Sequence, residues 1–166
     1  MATRYIVLLF DYSTIYVLAM SIMIRKIQEG DFAQVVALIQ EFAEFQKHPE
    51  RMNNSLDRML AEKAYIHGFV AENEQQQVVG YAMYYFSYHT WSGKSIYLED
   101  LYVQPTHRKQ NIGKDLLEAV IGLAKEENCH RVRWQVSTWN TNAQEFYKKM
   151  GAVINNEEYD CDLYLR

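Results

Sequence analysis

The stretch Leu101-Tyr-Val-Gln-Pro-Thr-His-Arg-Lys-Gln-Asn-Ile-Gly113-Lys114 reads as the end of a strand, a short loop and the start of a helix, and its chemistry is that of an anion site. A helix N-terminus offers backbone N–H groups without intrahelical partners and the positive end of a dipole. Arg108, Lys109 and Lys114 add charge suited to a pyrophosphate. Taken alone, the same residues also describe a solvated basic turn. Just upstream, two adjacent carboxylates, Glu99 and Asp100, stand where the apolar phase of the strand changes. Ile96 and Leu98 lie on one parity, Leu101 and Val103 on the other. A strand packed on both faces could give this pattern, but a β-bulge near Glu99 and Asp100 explains the flip and would splay the strand. Bulges are over-represented beside active sites. Tyr147 shares helical spacing with Ala143, Phe146 and Met150, so by pattern it is a core tyrosine.

The elements that must position these groups follow from periodicity. A strand over 23–27 precedes a helix from 31 to about 46, with Asp31 and Gln34 spaced as a capping box and Val35, Val36, Leu38, Ile39, Phe42 and Phe45 as its apolar face. A shorter helix follows Asn54 and Ser55, with Leu56, Met59 and Leu60 turned inward. Segments 65–72 and 77–88 form a hairpin around a polar turn, and 94–103 is the strand with the phase change. Ile112, Leu116, Leu117, Val120, Ile121 and Ala124 mark a helix over 112–127. A strand over 131–137 leads to a short helix opened by Thr141 and Gln144 as a capping box and closed by Gly151. Strands near 153–157 and 160–165 finish the chain. The order βααβββαβαββ predicts an α/β (α+β) fold: one central mixed β-sheet with helices on both faces.

Composition narrows the chemistry. The 166 residues suit one domain. Two cysteines, Cys129 and Cys161, lie far apart without metal-ligand spacing and read as reduced thiols of a cytoplasmic protein. None of the five histidines falls at ligand spacing, so no metal is expected. The net charge of −4 argues against non-specific nucleic-acid binding and suits a cationic or neutral small molecule.

The loop that opened this reading keeps specific company. Arg108, Asn111 and Gly113 fill the Arg/Gln-x-x-Gly-x-Gly/Ala slot of the acetyl-CoA signature, and the sequence resembles the GNAT family of N-acetyltransferases. Gly80-Tyr-Ala-Met-Tyr-Tyr-Phe86, Trp91-Ser-Gly-Lys94, Tyr97-Leu-Glu-Asp-Leu-Tyr-Val103, Trp139-Asn140 and Phe146-Tyr-Lys-Lys-Met-Gly-Ala152 are similar to its diamine (spermidine/spermine and thialysine) branch. The resemblance covers about 23–152 and implies direct acetyl transfer from acetyl-CoA to a primary amine of a small cationic substrate: a diamine, a polyamine or a lysine-like amino acid. It implies Glu99 as a water-mediated base and Tyr147 as the acid that protonates the CoA thiolate. It also implies a cofactor site made by the backbone of Leu101, Tyr102 and Val103, the loop Arg108, Lys109, Gln110, Asn111, Ile112, Gly113 and Lys114, and Asn140, Asn142, Ala143 and Lys149. Phe45, Gln46, Glu99, Asp100 and Gln135 would face the substrate, with Glu157 and Glu158 adding negative charge. The branch further implies a homodimer.

Two departures from the family pattern stand out. Asn111 replaces the first signature glycine; of the non-glycine residues, Asn best tolerates a left-handed backbone, so the loop shape survives while cofactor affinity is placed in question. Gln46 stands where polyamine-acetylating relatives carry an acid, which argues for a shorter amine. Another class of protein, a CoA-binding sensor without turnover, draws its only support from Asn111 and is opposed by Glu99 and Tyr147. Neither cysteine is set up as a nucleophile, which disfavours an acetyl-enzyme.

Residues 1–22 form an apolar extension ahead of a single domain over 23–166. The run from 5 to 24 is about the length of a bilayer span, but Asp11 lies in its middle and Tyr12, Ser13, Thr14 and Tyr16 dilute it. No membrane anchor is therefore expected. The segment reads as an extra strand or tag-like extension, or as sequence upstream of a start at Met20 or Met23.

Overall fold

The computed structural model describes residues 21–156 in full and the backbone of 5–10 and 14–19. Two strands, β1 (Tyr5–Phe10) and β2 (Thr14–Ala19), pair antiparallel as a sheet of their own. The chain divides into two compact units, Met1–Trp134 and Gln135–Arg166. Among the described residues no helix is long and apolar enough to cross a membrane.

The first unit is organised on a five-stranded sheet of β3 (Met23–Lys26), β4 (His67–Glu72), β5 (Val78–His89), β6 (Gly93–Val103) and β7 (Arg131–Arg133), in that spatial order. The first four pair antiparallel, whereas β6 and β7 are parallel, so the sheet is mixed as expected. Parallel neighbours need a crossover, and here it is α3 (Ile112–Glu126). On the other side of the sheet lie α1 (Phe32–Phe45) and α2 (Leu56–Ala61).

Strand alternation assigns the faces. Tyr81 and Tyr102, directly opposed on β5 and β6, join Phe32, Val35 and Leu38 of α1, Met59 of α2, Val70 and Val78 in one buried cluster. Gly80 points the other way, and a Cβ there would meet Leu116 of α3 at 3.4 Å. Leu116, Leu117 and Val120 are fully buried, as their stripe predicts; Leu123 rather than Ile121 completes the buried side. In α2 only Met59 is buried, while Leu56 and Leu60 remain exposed.

Several local expectations change. Asp31 does not cap α1, because its carboxylate is taken by the Arg25 guanidinium at 2.7 and 2.8 Å and by the Gln28 N–H at 2.8 Å. A bidentate pairing with a guanidinium outcompetes a single bond to a backbone N–H. Arg25 also bonds Glu72, tying β3 to β4, and the pairing holds the Asp31 carboxyl below its ordinary range. Gln34 reaches across instead, accepting the Val78 N–H at 2.9 Å.

The second unit contains α4 (Thr141–Lys149). Its cap is Asn140, whose side-chain oxygen accepts the Ala143 N–H at 3.2 Å; Thr141 already lies inside the helix, and Gln144 donates to the carbonyls of Ser137 and Thr138. Gly151, at φ 89°, ends it as expected. The strand expected over 131–137 stops at Arg133. No strand forms over 153–156, where Val153 is 93% exposed and Asn155 and Asn156 favour turns over a ladder. The strand expected over 160–165, with Glu157, Glu158 and Cys161, lies outside the described residues.

Two glycines test the packing. A Cβ at Gly80 would stand 2.9 Å from the Tyr102 carbonyl and 3.2 Å from Val103 Cγ2, whereas Gly122, inside α3, has open space. Gly80→Ala is expected to cost about 1–3 kcal/mol in urea unfolding, and Gly122→Ala to add up to about 1 kcal/mol. Equal effects would contradict the close approach of α3 to β5 and β6.

Candidate active site

A single extra residue shapes the site. Leu98 opposes Tyr84 and Asp100 opposes Met83, which leaves Glu99 unmatched in the β5–β6 ladder. This is the bulge that the phase change predicts. Below it Leu98 is buried; beyond it the parity is reversed, so that Tyr102 takes the inward position and Leu101 and Val103 are half-buried.

The ladder then decides which backbone groups are available. Gln104 donates its N–H to the Val79 carbonyl at 3.0 Å, so Tyr102 and Gln104 turn their backbone groups toward β5. By alternation Leu101 and Val103 turn theirs to the opposite edge. β7 pairs along that edge opposite Ser95–Tyr97 and ends there, and among the described residues no further ladder partner covers 98–103. An extended ligand could therefore add to β6 as a strand does.

The loop after β6 meets the requirements of a pyrophosphate. Asn111 is left-handed at φ 62°, the conformation that the signature glycine position demands, and Lys109 is left-handed too, at φ 60°. The first backbone bond of α3 runs from the Asp115 N–H to the Asn111 carbonyl at 2.9 Å, and no side chain caps the helix. The N–H groups of Ile112, Gly113 and Lys114 thus face outward at the positive end of a 15-residue helix. The donor set fits a phosphorylated cofactor. Arg108, Lys109 and Asn111 are exposed, Gln110 is half-buried, and the Ile112 side chain belongs to the core. Lys114 leans toward Glu118 at 3.4 Å.

Arg108 is held in a way that its sequence does not announce. Its Nε donates to the Val103 carbonyl at 2.9 Å, and its guanidinium lies 4.9 Å from the Phe45 ring and 5.5 Å from the Tyr102 ring. Phe45, expected beside the substrate, packs against Arg108 of the basic loop, and Gln46 caps the end of α1. Glu41 fastens the same corner, accepting from the Tyr102 hydroxyl at 3.1 Å and from Gln104 Nε2 at 2.9 Å. These partners lie 61 and 63 positions from Glu41 in sequence, and no local pattern marks Glu41. Tyr102 itself contributes a buried side chain and a ladder-bonded backbone, so it serves as scaffold for its two neighbours.

The two carboxylates differ. Glu99 is exposed on the bulge, whereas Asp100 lies beside it, half-buried, with the Tyr81 hydroxyl 3.4 Å away. Burial pushes the Asp100 carboxyl up to about 6; the charge of Glu99 adds to this and the Tyr81 hydrogen bond opposes it. A carboxyl raised in this way is a common feature of sites that move protons near neutral pH.

In the second unit Tyr147 is 8% exposed, with its ring 5.2 Å from that of Phe146. Asn142 and Lys149 are exposed on α4, Ala143 is half-buried and bonded to the Asn140 cap, and Gln135 is exposed.

Comparison with known proteins agrees with this geometry. The family described as Acetyltransferase (GNAT) family matches residues 32–152. Thialysine N-epsilon-acetyltransferase of Bos taurus is 40% identical over 153 residues, covering 84% of this chain and 90% of that protein. The spermidine/spermine N(1)-acetyltransferase-like protein 1 of Homo sapiens is 31% identical over 81% of this chain but only 21% of its own length. An integron cassette protein from V. cholerae superimposes with a TM-score of 0.72 at 22% identity, covering 88% of this chain and 94% of that one. A soil-metagenome aminoglycoside acetyltransferase gives 0.69 at 23%, covering 87% and 97%; both structures speak for the fold alone. The open edge of β6, the basic helix N-terminus behind it and this family match lead to one conclusion: the chain belongs to the GNAT family of acetyltransferases and is an acetyl-transferring enzyme whose co-substrate is acetyl-CoA.

Proposed function

We propose that this enzyme transfers the acetyl group directly to the primary amine of a small cationic substrate, with Glu99 and Asp100 receiving the amine. The observation that carries this reading is the bulge, which sets an exposed carboxylate next to one with a raised pKa at the point where the β6 edge opens. The names of the thialysine-acetylating relatives point to the same substrate class.

The chemistry asks for three things. An alkylammonium with a pKa near 10 is only about one part in a thousand neutral at pH 7, a handicap of about 4 kcal/mol. Glu99, directly or through water, takes the ammonium proton, and the neighbouring charge of Asp100 favours the cation before that transfer. Bound acetyl-CoA supplies an activated acyl group as a thioester. The outward backbone groups of Leu101 and Val103 orient it, and an N–H on that edge steadies the carbonyl oxygen as charge develops. Arg108 must release the Val103 carbonyl for that pairing to form. Arg108, Lys109 and the outward N–H groups of α3 hold the pyrophosphate. Tyr147 protonates the departing thiolate; this role rests on the Phe146-Tyr147-Lys148 motif.

Thiol release from acetyl-CoA across a panel of diamines, lysine analogues and peptides is the direct test. Release is expected with a short amine, and none with any amine would leave a CoA-binding sensor as the better account. Tyr147→Phe is expected to lower kcat by about 100-fold or more while CoA affinity changes by less than about twofold. Equal losses in both would return Tyr147 to the core.

Asp100 carries a pH signature. Its folded pKa of about 6 exceeds the unfolded carboxylate value, so the folded state retains the proton more strongly and stability declines as pH rises from about 4 to about 6. Asp100→Asn is therefore expected to be more stable than the wild type at pH 7 by up to about 3 kcal/mol, the gap closing below about pH 4 in urea titrations. A gap that widens in acid would mean that the Asp100 carboxylate is favoured by folding.

A further inference from the structure

We propose that Arg108 is a specificity residue for the acyl donor: at rest it closes the carbonyl that the pantetheine arm would use, and only a donor that carries phosphates draws it away. Glu41 and Tyr102 are positioning residues that set how firmly Arg108 rests. This builds on the preceding reading, in which pantetheine pairs with the outward edge of β6 and Arg108 receives the pyrophosphate.

Three contacts define the resting position. Arg108 Nε donates to the Val103 carbonyl at 2.9 Å, on the edge of β6 where β7 no longer pairs. The guanidinium lies 4.9 Å from the Phe45 ring and 5.5 Å from the Tyr102 ring. The Tyr102 hydroxyl adds direction to this hold. It donates its proton to Glu41 Oε2 at 3.1 Å, while Glu41 Oε1 accepts Gln104 Nε2 at 2.9 Å. A phenol that donates to a carboxylate keeps its oxygen lone pairs for another neighbour, and the bond polarises that oxygen. The neighbour here is Arg108: burial and then the Glu41 bond and charge push the Tyr102 phenol up, and the guanidinium draws it down. Glu41 thus strengthens the hold on Arg108 without pairing with it, because its own oxygens are spent on Tyr102 and Gln104.

The consequence is a condition on the donor. An extended arm that pairs at Val103 brings a neutral amide N–H to the carbonyl that a charged donor already occupies. Bonds from an ionised donor are roughly twice as strong as neutral ones, so pantetheine alone loses this exchange. Phosphates reverse the balance, because a guanidinium can place two parallel N–H groups on an anion in return for its single bond to a neutral carbonyl. The outward N–H groups of Ile112, Gly113 and Lys114 collect such an anion just downstream of Arg108. A carboxylate partner would have held Arg108 too firmly for this release; a carbonyl and two aromatic faces give it up. Binding of the phosphates and opening of the strand edge are thereby coupled through one side chain.

Two donors test the proposal in the full-length enzyme: acetyl-CoA, and acetyl-pantetheine, which has the same arm and thioester without phosphates. Arg108→Ala is expected to lower kcat/KM for acetyl-CoA by at least about tenfold and to raise it for acetyl-pantetheine by at least about fivefold, both through KM. A residue that only touches phosphate would leave acetyl-pantetheine unchanged, and damage to the fold would lower both; either result overturns the proposal. Tyr102→Phe keeps the ring and removes the hydroxyl, so acetyl-pantetheine should gain at least about twofold with no loss for acetyl-CoA. Glu41→Gln should match it and add nothing further in the double variant. No gain with Tyr102→Phe, or additive effects of the two, would overturn the positioning role. Calorimetric titration with CoA and with pantetheine separates this proposal from the transfer reading. If no amine is acetylated, the transfer reading fails, while weaker CoA and tighter pantetheine binding in Arg108→Ala still supports the coupling; pantetheine binding that is the same in both proteins, or absent from both, overturns it.

Discussion

The unmatched residue in β6 is the constraint on which the rest of the site depends. Without Glu99 as an extra residue, the parity of Ile96 and Leu98 would continue through the strand, and Tyr102 would turn away from the cluster that it shares with Tyr81 and α1. With it, one strand serves two cores: Ile96 and Leu98 are buried below the bulge, and Tyr102 is buried beyond it on the side of α1. The same irregularity exposes a carboxylate and marks where the ladder with β7 has ended. Packing on both sides of the sheet therefore holds in place a feature that by itself would weaken the sheet.

The corner where α1, β6 and the basic loop meet extends this logic. Glu41 takes two donors from β6, the Tyr102 hydroxyl and the Gln104 amide, while Phe45 and Tyr102 offer aromatic faces to Arg108. Guanidinium–aromatic contacts of this type contribute about 0.5–2 kcal/mol each and tolerate rotation better than a carboxylate pair would. A cation can thus be stored next to a cofactor site without being neutralised by an acid. Lys114 differs, since an exposed pair with Glu118 one turn along α3 is worth little and is easily exchanged.

Much of this was legible in the residues because its causes are local. The phase change around Glu99 and Asp100 reports the bulge, the α3 stripe reports a buried face, and Asn111 sits where the backbone is left-handed. What escaped is decided by partners distant in sequence. Asp31 and Gln34 have the spacing of a capping box, but Arg25 and Val78 claim their side chains. Lys109 adopts a left-handed backbone that no lysine advertises. Arg131 and Arg133 look like the solvated half of a strand, and only the parallel register with β6 sets them opposite Ser95 and Tyr97. Glu41, on a helix face of mixed character, gives no local sign that it anchors β6.

The Arg108 bond to Val103 has a second consequence. A strand edge with unpaired carbonyl and N–H groups is a template for any extended chain, including that of another copy, and proteins blunt such edges with bulges and cationic side chains. β6 carries both devices within five residues, Glu99 as the bulge and Arg108 on the Val103 carbonyl. The contact that the proposed cofactor pairing would displace is also one that an intruding β-strand would have to displace, so the edge proposed to receive acetyl-CoA is guarded against aggregation by one of the cations proposed to receive its phosphates.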